Sequence, residues 1–259
     1  CFNVVHTTSR DNVWATSNIS FYHFTNAIGS QNHDWVNGYD NLVIGNITHH
    51  GSQGPGTPQS DGNGIIIDDM QCLQNYGSDH SGINYRGNWL IMGNLAVANG
   101  PTAGAGVHCF QTDFVDMCFN TASANNSVAM DMNGGIGQGV RGDIYANLTW
   151  QTNWWDGYLW SGASDANVFL AGSANPSGRG QLSGSRNRSG EGGAYFKTNS
   201  PTLYPDLTTA EQWRPDGGSG AVERYTISQA QYDKWSVFPD LLGTIRPGAR
   251  PWACGALEA

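Results

Sequence analysis

The stretch Gly93-Asn94-Leu95-Ala96-Val97-Ala98-Asn99-Gly100 decides the fold, because its pattern returns four times along the chain. It reads FNVVHTTS at 2–9, GNITHHGS at 45–52, FNTASANN at 119–126 and ANLTWQTN at 146–153. The fixed point is an asparagine, at Asn3, Asn46, Asn94, Asn120 and Asn147, with gaps of 43, 48, 26 and 27 residues. If each of the two long gaps holds two turns of the chain, the repeat is roughly 21 to 27 residues, a length at which solenoids are built. Three residues before the asparagine stand Val43, Ile91, Met117 and Ile144; two after it stand Val5, Thr48, Ala96, Ala122 and Thr149. One side is therefore core, and the other must fit a narrow bend. A corner asparagine can donate to and accept from the backbone of adjacent turns, serving peptide groups that the bend removes from a strand ladder. Stacked turns then carry a continuous asparagine ladder, and the N-x-S/T matches at Asn46 and Asn147 become buried ladder residues rather than glycan acceptors.

Composition agrees. Among 259 residues there are 35 glycines and only 13% charged residues, and Asn, Ser and Thr crowd the spaces between short apolar runs. That is the profile of an all-β chain with many tight turns. The expected architecture is a right-handed parallel β-helix, a solenoid with coils over 1–175 and an irregular, loop-rich C-terminal tail over 176–259 that packs on it or caps it. Only 227–236 sustains a helical period, which predicts one short helix over Ser228–Trp235. Cys1-Phe2-Asn3-Val4-Val5 reads as the body of a repeat, so a leader and further coils are expected before it. The net charge of −9, with Lys197 and Lys234 the only lysines, argues against a phosphate-tracking nucleic-acid surface. No apolar run reaches about eighteen residues, so no membrane span is expected. The five cysteines lack C-x-x-C spacing, and Cys109 and Cys118 read as buried thiols in apolar strands. A monomer is the expected state.

Candidate chemistry follows from strand alternation. In Ser60-Asp61-Gly62-Asn63-Gly64-Ile65-Ile66-Ile67-Asp68-Asp69, Ile65 and Ile67 face the core, so Ile66 and Asp68 face out. Asp61 sits on the preceding glycine turn and Asp69 at the far corner. Aligned on its glycine, Gly106-Val107-His108-Cys109-Phe110 turns Val107 and Cys109 inward and His108 outward, near Ile66 and within reach of Asp68. Val128-Ala129-Met130-Asp131-Met132 places Asp131 on the same face. Asp68, His108 and Asp131 are the candidate catalytic residues, and Asp61, Asp68 and Asp69 are candidate ligands for calcium, which takes oxygen donors. Trp154, Trp155, Tyr158 and Trp160 suit stacking on sugar faces, and His23 is placed at the N-terminal end of the same face. His6 and His49 hold equivalent places after their asparagines and are expected to stack two turns apart, as surface residues rather than a metal pair.

The segments SDGNGIIIDD (60–69), GAGVHCF (104–110) with TDFVDMCFNTASANN (112–126), and DLLGTIRPGARPWACGALE (240–258) resemble the right-handed parallel β-helix proteins of the pectate-lyase-like superfamily. The resemblance implies a bacterial, extracytoplasmic (secreted or periplasmic), carbohydrate-active protein. GAGVHCF is similar to the strand that carries the catalytic lysine in calcium-dependent pectate lyases of the ninth polysaccharide lyase family, and SDGNG to their calcium-binding Asp-Gly turn. His108 stands where that family has lysine, a departure that replaces its strongest catalytic mark with a base able to act near neutral pH. The leading expectation is a calcium-assisted lyase cleaving an acidic, uronic-acid-containing polysaccharide by β-elimination. The alternatives are a glycoside hydrolase or sugar epimerase on the same face, or a non-catalytic carbohydrate-binding, adhesin or fibre module.

Overall fold

Runs of two to six residues rich in Ile, Val, Leu and Met make twenty strands among the described residues, against one α-helix and one 3-10 turn. The computed structural model describes residues 3–5, 8–10, 17–22, 39, 41–51, 62–68, 89–100, 105–110, 113–125, 128–133, 141–150, 154–156, 164–165, 168–170, 188–191, 196–198, 200–217, 225–246, 248 and 251–258. The chain is all-β, as its composition predicts, and its main sheets are parallel. The first sheet holds, in spatial order, Asn3–Val5, Asn41–Ile44, Trp89–Met92, Asp113–Cys118, Arg141–Tyr145 and Ser164–Asp165. The second holds Thr8–Arg10, Ile47–His49, Leu95–Val97, Thr121–Ser123, Leu148–Trp150, Val168–Leu170 and Arg188–Glu191. The third holds Ser17–Tyr22, Asn63–Asp68, Ala105–Phe110, Val128–Asn133 and Trp154–Asp156. Successive strands visit the first, second and third sheets in turn, and each pass lays its strands beside those of the pass before.

Two bends per pass make this arrangement possible, and both are built the same way. Between the first and second sheets a residue in the left-handed region precedes the asparagine: Gly45, Gly93, Phe119 or Ala146, at φ of 62°, 69°, 54° and 52°. The asparagines that follow are fully buried. Oδ1 of Asn120 accepts from the backbone N–H of Asn94 at 3.0 Å and from its Nδ2 at 2.9 Å, while Nδ2 of Asn120 donates to Oδ1 of Asn147 and to the carbonyl of Ile91. Asn46 and Asn94 repeat the motif one pass earlier. This is the predicted ladder over Asn46, Asn94, Asn120 and Asn147.

Asn3 is not part of it. It pairs with Leu42, four residues before Asn46, and lies within a first-sheet strand. FNVVHTTS imitates the motif because any asparagine followed by two β-branched residues does so. The register also corrects the repeat count: Asn41 pairs directly with Trp89, so the gap of 48 is a single pass, longer than the next on both sides of its third-sheet strand Asn63–Asp68. His49 pairs with Arg10 in register, and His6 lies outside the described residues.

A second ladder runs along the bend from the second sheet to the third, through Gly51, Asn99 and Asn125. Oδ1 of Asn125 accepts from the N–H and the Nδ2 of Asn99, both at 3.0 Å, and Oδ1 of Asn99 accepts from the N–H of Gly51. His50, Ala98 and Ala124 take the left-handed conformation before them.

The core has two parts. Between the sheets lie Ile65, Ile67, Ile91, Ala96, Val107, Cys109, Val115, Met117, Ala122 and Met130. The outer faces of the first and second sheets are apolar as well, presenting Leu42, Ile44, Leu90, Met92, Ile47, Leu95, Val97 and Leu148 to Trp213, Trp235, Phe238, Leu241, Trp252 and Leu257 of the C-terminal segment. Cys109, Cys118 and Cys254 are buried, whereas Cys1 and Cys72 lie outside the described residues. The predicted helix is Gln229–Trp235, started by a reciprocal capping box between Ser228 and Gln231. Lys234 donates to Asp116 at 2.8 Å, Tyr39 donates to the same carboxylate, and Trp235 donates to the Tyr39 hydroxyl at 2.8 Å. Burial, reinforced by Asp116, pushes the Tyr39 pKa up and keeps it a donor. The closing segment carries a fully buried Arg246, which donates to Glu258 at 2.6 Å and to the carbonyl of Gly255 at 3.0 Å and lies 4.5 Å from the Phe119 ring centroid.

Replacing Asn120 with Ala leaves the Asn94 N–H, the Asn94 amide and the Ile91 carbonyl without their partners in the interior. At about 1–3 kcal/mol for each unsatisfied group, Asn120→Ala is expected to lose at least about 3 kcal/mol in urea unfolding; a loss below about 1 kcal/mol would refute the ladder as the main support of the bend. Arg246→Ala strands the Glu258 carboxylate, and an unfolding loss of about 3–5 kcal/mol is expected.

Candidate functional site

Among the described residues, none of the third-sheet strands contributes to the cluster beneath the C-terminal segment. Its outward positions are therefore where the chain can present chemistry, and backbone register fixes their rows. Ser20, Ile66, His108, Asp131 and Asp156 follow one another across the sheet. The neighbouring row, two residues further along each strand, runs through Tyr22, Asp68, Phe110 and Asn133. Val107 and Cys109 are fully buried in the core while His108 between them is half-buried. Ile66 is only 2% exposed and belongs to neither core cluster.

His108 and Asp131 thus hold adjacent places at the interstrand spacing of about 4.8 Å. Asp68 is diagonal to His108, one strand across and two residues along, or about 8 Å between Cα atoms. Asp156, absent from the candidate set, extends the row; the signal for it was an aspartate closing the Trp154-Trp155 run. Trp154 and Trp155 lie in the edge strand of the third sheet. Tyr158, Trp160, His23, Asp61 and Asp69 lie outside the described residues, and Asp68 and Asp131 are placed by backbone alone.

The strand Asn63–Asp68 also sorts the proposed calcium ligands. Asp68 ends that strand and is the one of the three that lies among the described residues; Asp61 and Asp69 lie outside them. Among the described residues no three His, Cys, Asp or Glu side chains converge as a metal site.

The glycines of SDGNG and GAGVHCF have a structural duty. A Cβ on Gly64 would lie 2.7 Å from Asn99 Nδ2 and 2.6 Å from the Gly106 carbonyl; one on Gly106 would lie 2.7 Å from Asn125 Nδ2 and 2.6 Å from the Ala129 carbonyl. Both glycines make room for the second asparagine ladder. Gly106→Ala is expected to lower the thermal midpoint by many degrees or abolish folding, whereas Gly217→Ala, whose Cβ meets nothing within 4 Å, leaves it unchanged; equal midpoints for the two variants would show that Gly106 is not needed for packing.

No protein-family model matches the chain, and no curated protein matches it.

Proposed function

We propose that the three sheets are the walls of a right-handed parallel β-helix of the pectate-lyase-like kind, and that the chain is an extracytoplasmic polysaccharide lyase. Support for the β-helix comes from the regular return of the chain to the same three parallel sheets and from the two stacked bends. The single observation that carries the chemical reading is the third-sheet row in which His108 stands between Ile66 and Asp131, with Asp156 beyond. An outward histidine with carboxylate positions on the next two strands of an extended parallel sheet suits a linear polymer lying across the strands.

In this reading the substrate is a uronic-acid polymer and the reaction is β-elimination. His108, its neutral tautomer set by Asp131 on the adjacent strand, takes the C5 proton; the C4–C5 double bond forms as the C4–O bond breaks, the departing sugar oxygen takes a proton from solvent, and Asp131 stabilises the imidazolium until it loses its proton. Asp61, Asp68 and Asp69 offer hard oxygen donors of the sort calcium takes. Calcium would supply neutralisation of the uronate carboxylate, which acidifies the C5 proton. The aromatic residues of 154–160 hold sugar rings at the end of the sheet.

A second reading has its own support. Asp131 pairs directly with Asp156, and two carboxylates on neighbouring strands approach the separation of about 5–5.5 Å used by retaining glycosidases. The two readings part on product chemistry. Incubation with pectate, alginate and glucuronan should release unsaturated ends absorbing in the ultraviolet. That absorbance is expected to fall on chelation and by about 100-fold or more in His108→Ala, whose thermal midpoint should match the parent. Reducing ends without unsaturation would favour the Asp131–Asp156 hydrolase, and binding without turnover would mark a non-catalytic module.

A further inference from the structure

Away from the third-sheet face, the segment 200–210 displays the largest exposed aromatic among the described residues. Tyr204 is 62% exposed, with Leu203 at 40% and Leu207 at 51% nearby in sequence. An exposed aromatic ring is unremarked when it is mobile; this one is held. It stacks on His50 with centroids 4.0 Å apart and planes within 10°, and meets the edge of His49 at 5.8 Å. His49 is buried, and its Nδ1 lies 3.0 Å from that of His50.

The backing and the loop are both fixed. His50 takes the left-handed conformation at φ 54°, one residue before Gly51, whose N–H donates to Asn99 Oδ1 of the second ladder. Ala98 and Ala124 share that conformation on the following passes, so the bend itself demands it, and only His50 puts a ring there. On the other side, Tyr204 precedes Pro205, which restricts its backbone. The N–H of Tyr204 donates to Thr202 Oγ1, the N–H of Thr202 to Gln212 Oε1, and Asp206 Oδ1 accepts from the N–H groups of Thr208 and Thr209. Pro201 and Pro205 are buried. Binding to Tyr204 therefore costs little conformational entropy.

From this preorganised ring we infer that Tyr204 on His50 is an auxiliary carbohydrate-binding platform, taking the C–H face of a pyranose in the same polysaccharide that the third-sheet face is proposed to cleave. The inference rests on that reading for the identity of the polymer and on nothing else in it. One face of the phenol ring is occupied by His50; the other is open to solvent and flat, the shape to which a pyranose presents its apolar side. The surroundings are polar, with Thr202, Asp206 and Thr208 beside the leucines. Three partly exposed apolar side chains fall well short of the roughly 800 Å² that each partner of a stable protein complex buries, which favours a sugar over a second protein. Gly51 links the platform to the third sheet, since a Cβ there would touch the carbonyls of Gly62 and Asn63 at 2.8 and 2.9 Å. A chain bound at Tyr204 is thus held at the corner beside the strand that carries Asp68.

Titration calorimetry with oligosaccharides of polygalacturonate, alginate and glucuronan, in chelator, tests the platform apart from catalysis. The parent and His108→Ala are expected to bind one of them alike. Tyr204→Phe should retain that binding and Tyr204→Ala should weaken it roughly tenfold, with thermal midpoints unchanged. Equal affinity in Tyr204→Ala, or no binding by the parent to any of the three, overturns the inference. So does sedimentation showing a parent dimer that Tyr204→Ala dissolves, which would make the ring a self-association surface. Tyr204-dependent binding without unsaturated product from any polymer would sink the lyase reading and leave the platform standing.

Discussion

A bend that carries a strand from one sheet to the next removes its own peptide groups from the ladder, and in the interior those groups have no water to turn to. The asparagine side chain repairs this because its oxygen accepts two hydrogen bonds and its nitrogen donates two. At Asn94 all four are used: Oδ1 serves the N–H and amide of Asn46, and Nδ2 serves Val43 and Asn120. The arrangement repeats at each pass, so it specifies which residue stacks on which and not merely that strands adjoin. It also imposes a cost. Phe119 and Ala146 adopt the left-handed conformation without being glycine, a penalty of about 1–2 kcal/mol each that the satisfied amides outweigh.

That constraint explains which parts of the fold were legible in the sequence. Asn46, Asn94, Asn120 and Asn147 stand out because an apolar residue three places before and a small one two places after are each forced by the same geometry. Asn3 shares only the residue two places after it, Val5, and strand register shows that it lies within a strand and not at the bend. The second ladder was harder to see because its first member is Gly51, which contributes an N–H and no amide. The long gap before Asn94 looked like two turns because nothing in composition separates a longer connection from a further turn. The outer faces of the first two sheets were hidden for another reason: Leu90 and Met92 alternate with Trp89 and Ile91 in an unbroken apolar run, so the run cannot say that one face meets the C-terminal segment.

The candidate face was legible to the same extent as the strands that form it. Alternation put His108 and Asp131 in outward positions, and register sets them on adjacent strands. Matching the strands along their glycines set His108 beside Ile66, and the register agrees; Asp68 pairs with Phe110, diagonal to His108, so Asp131 holds the nearer place. Tyr204 was invisible to strand reasoning altogether. Its significance comes from a contact between residues 154 positions apart in sequence, one at a bend and one in a loop.

The resemblance to polysaccharide lyases can be weighed on the same physics. Its carrying segments are rich in residues that the framework itself requires. Gly64 and Gly106 clear space for Asn99 and Asn125. In the closing segment Asp240 accepts from the N–H groups of Leu242, Thr244 and Glu258, and Glu258 holds the buried Arg246. Any chain stacked through two asparagine bends and closed by such a segment would need them, whatever reaction it performed. Likeness in these segments therefore speaks for architecture, and chemistry must be argued from positions the framework leaves open. His108 is one: in register beside it the preceding strand carries Ile66 and the following strand Asp131, so the row tolerates apolar, basic and acidic residues alike. A histidine there answers to what lies on the outer face and not to what holds the sheets together, whereas Gly64 and Gly106 answer to the ladder they make room for.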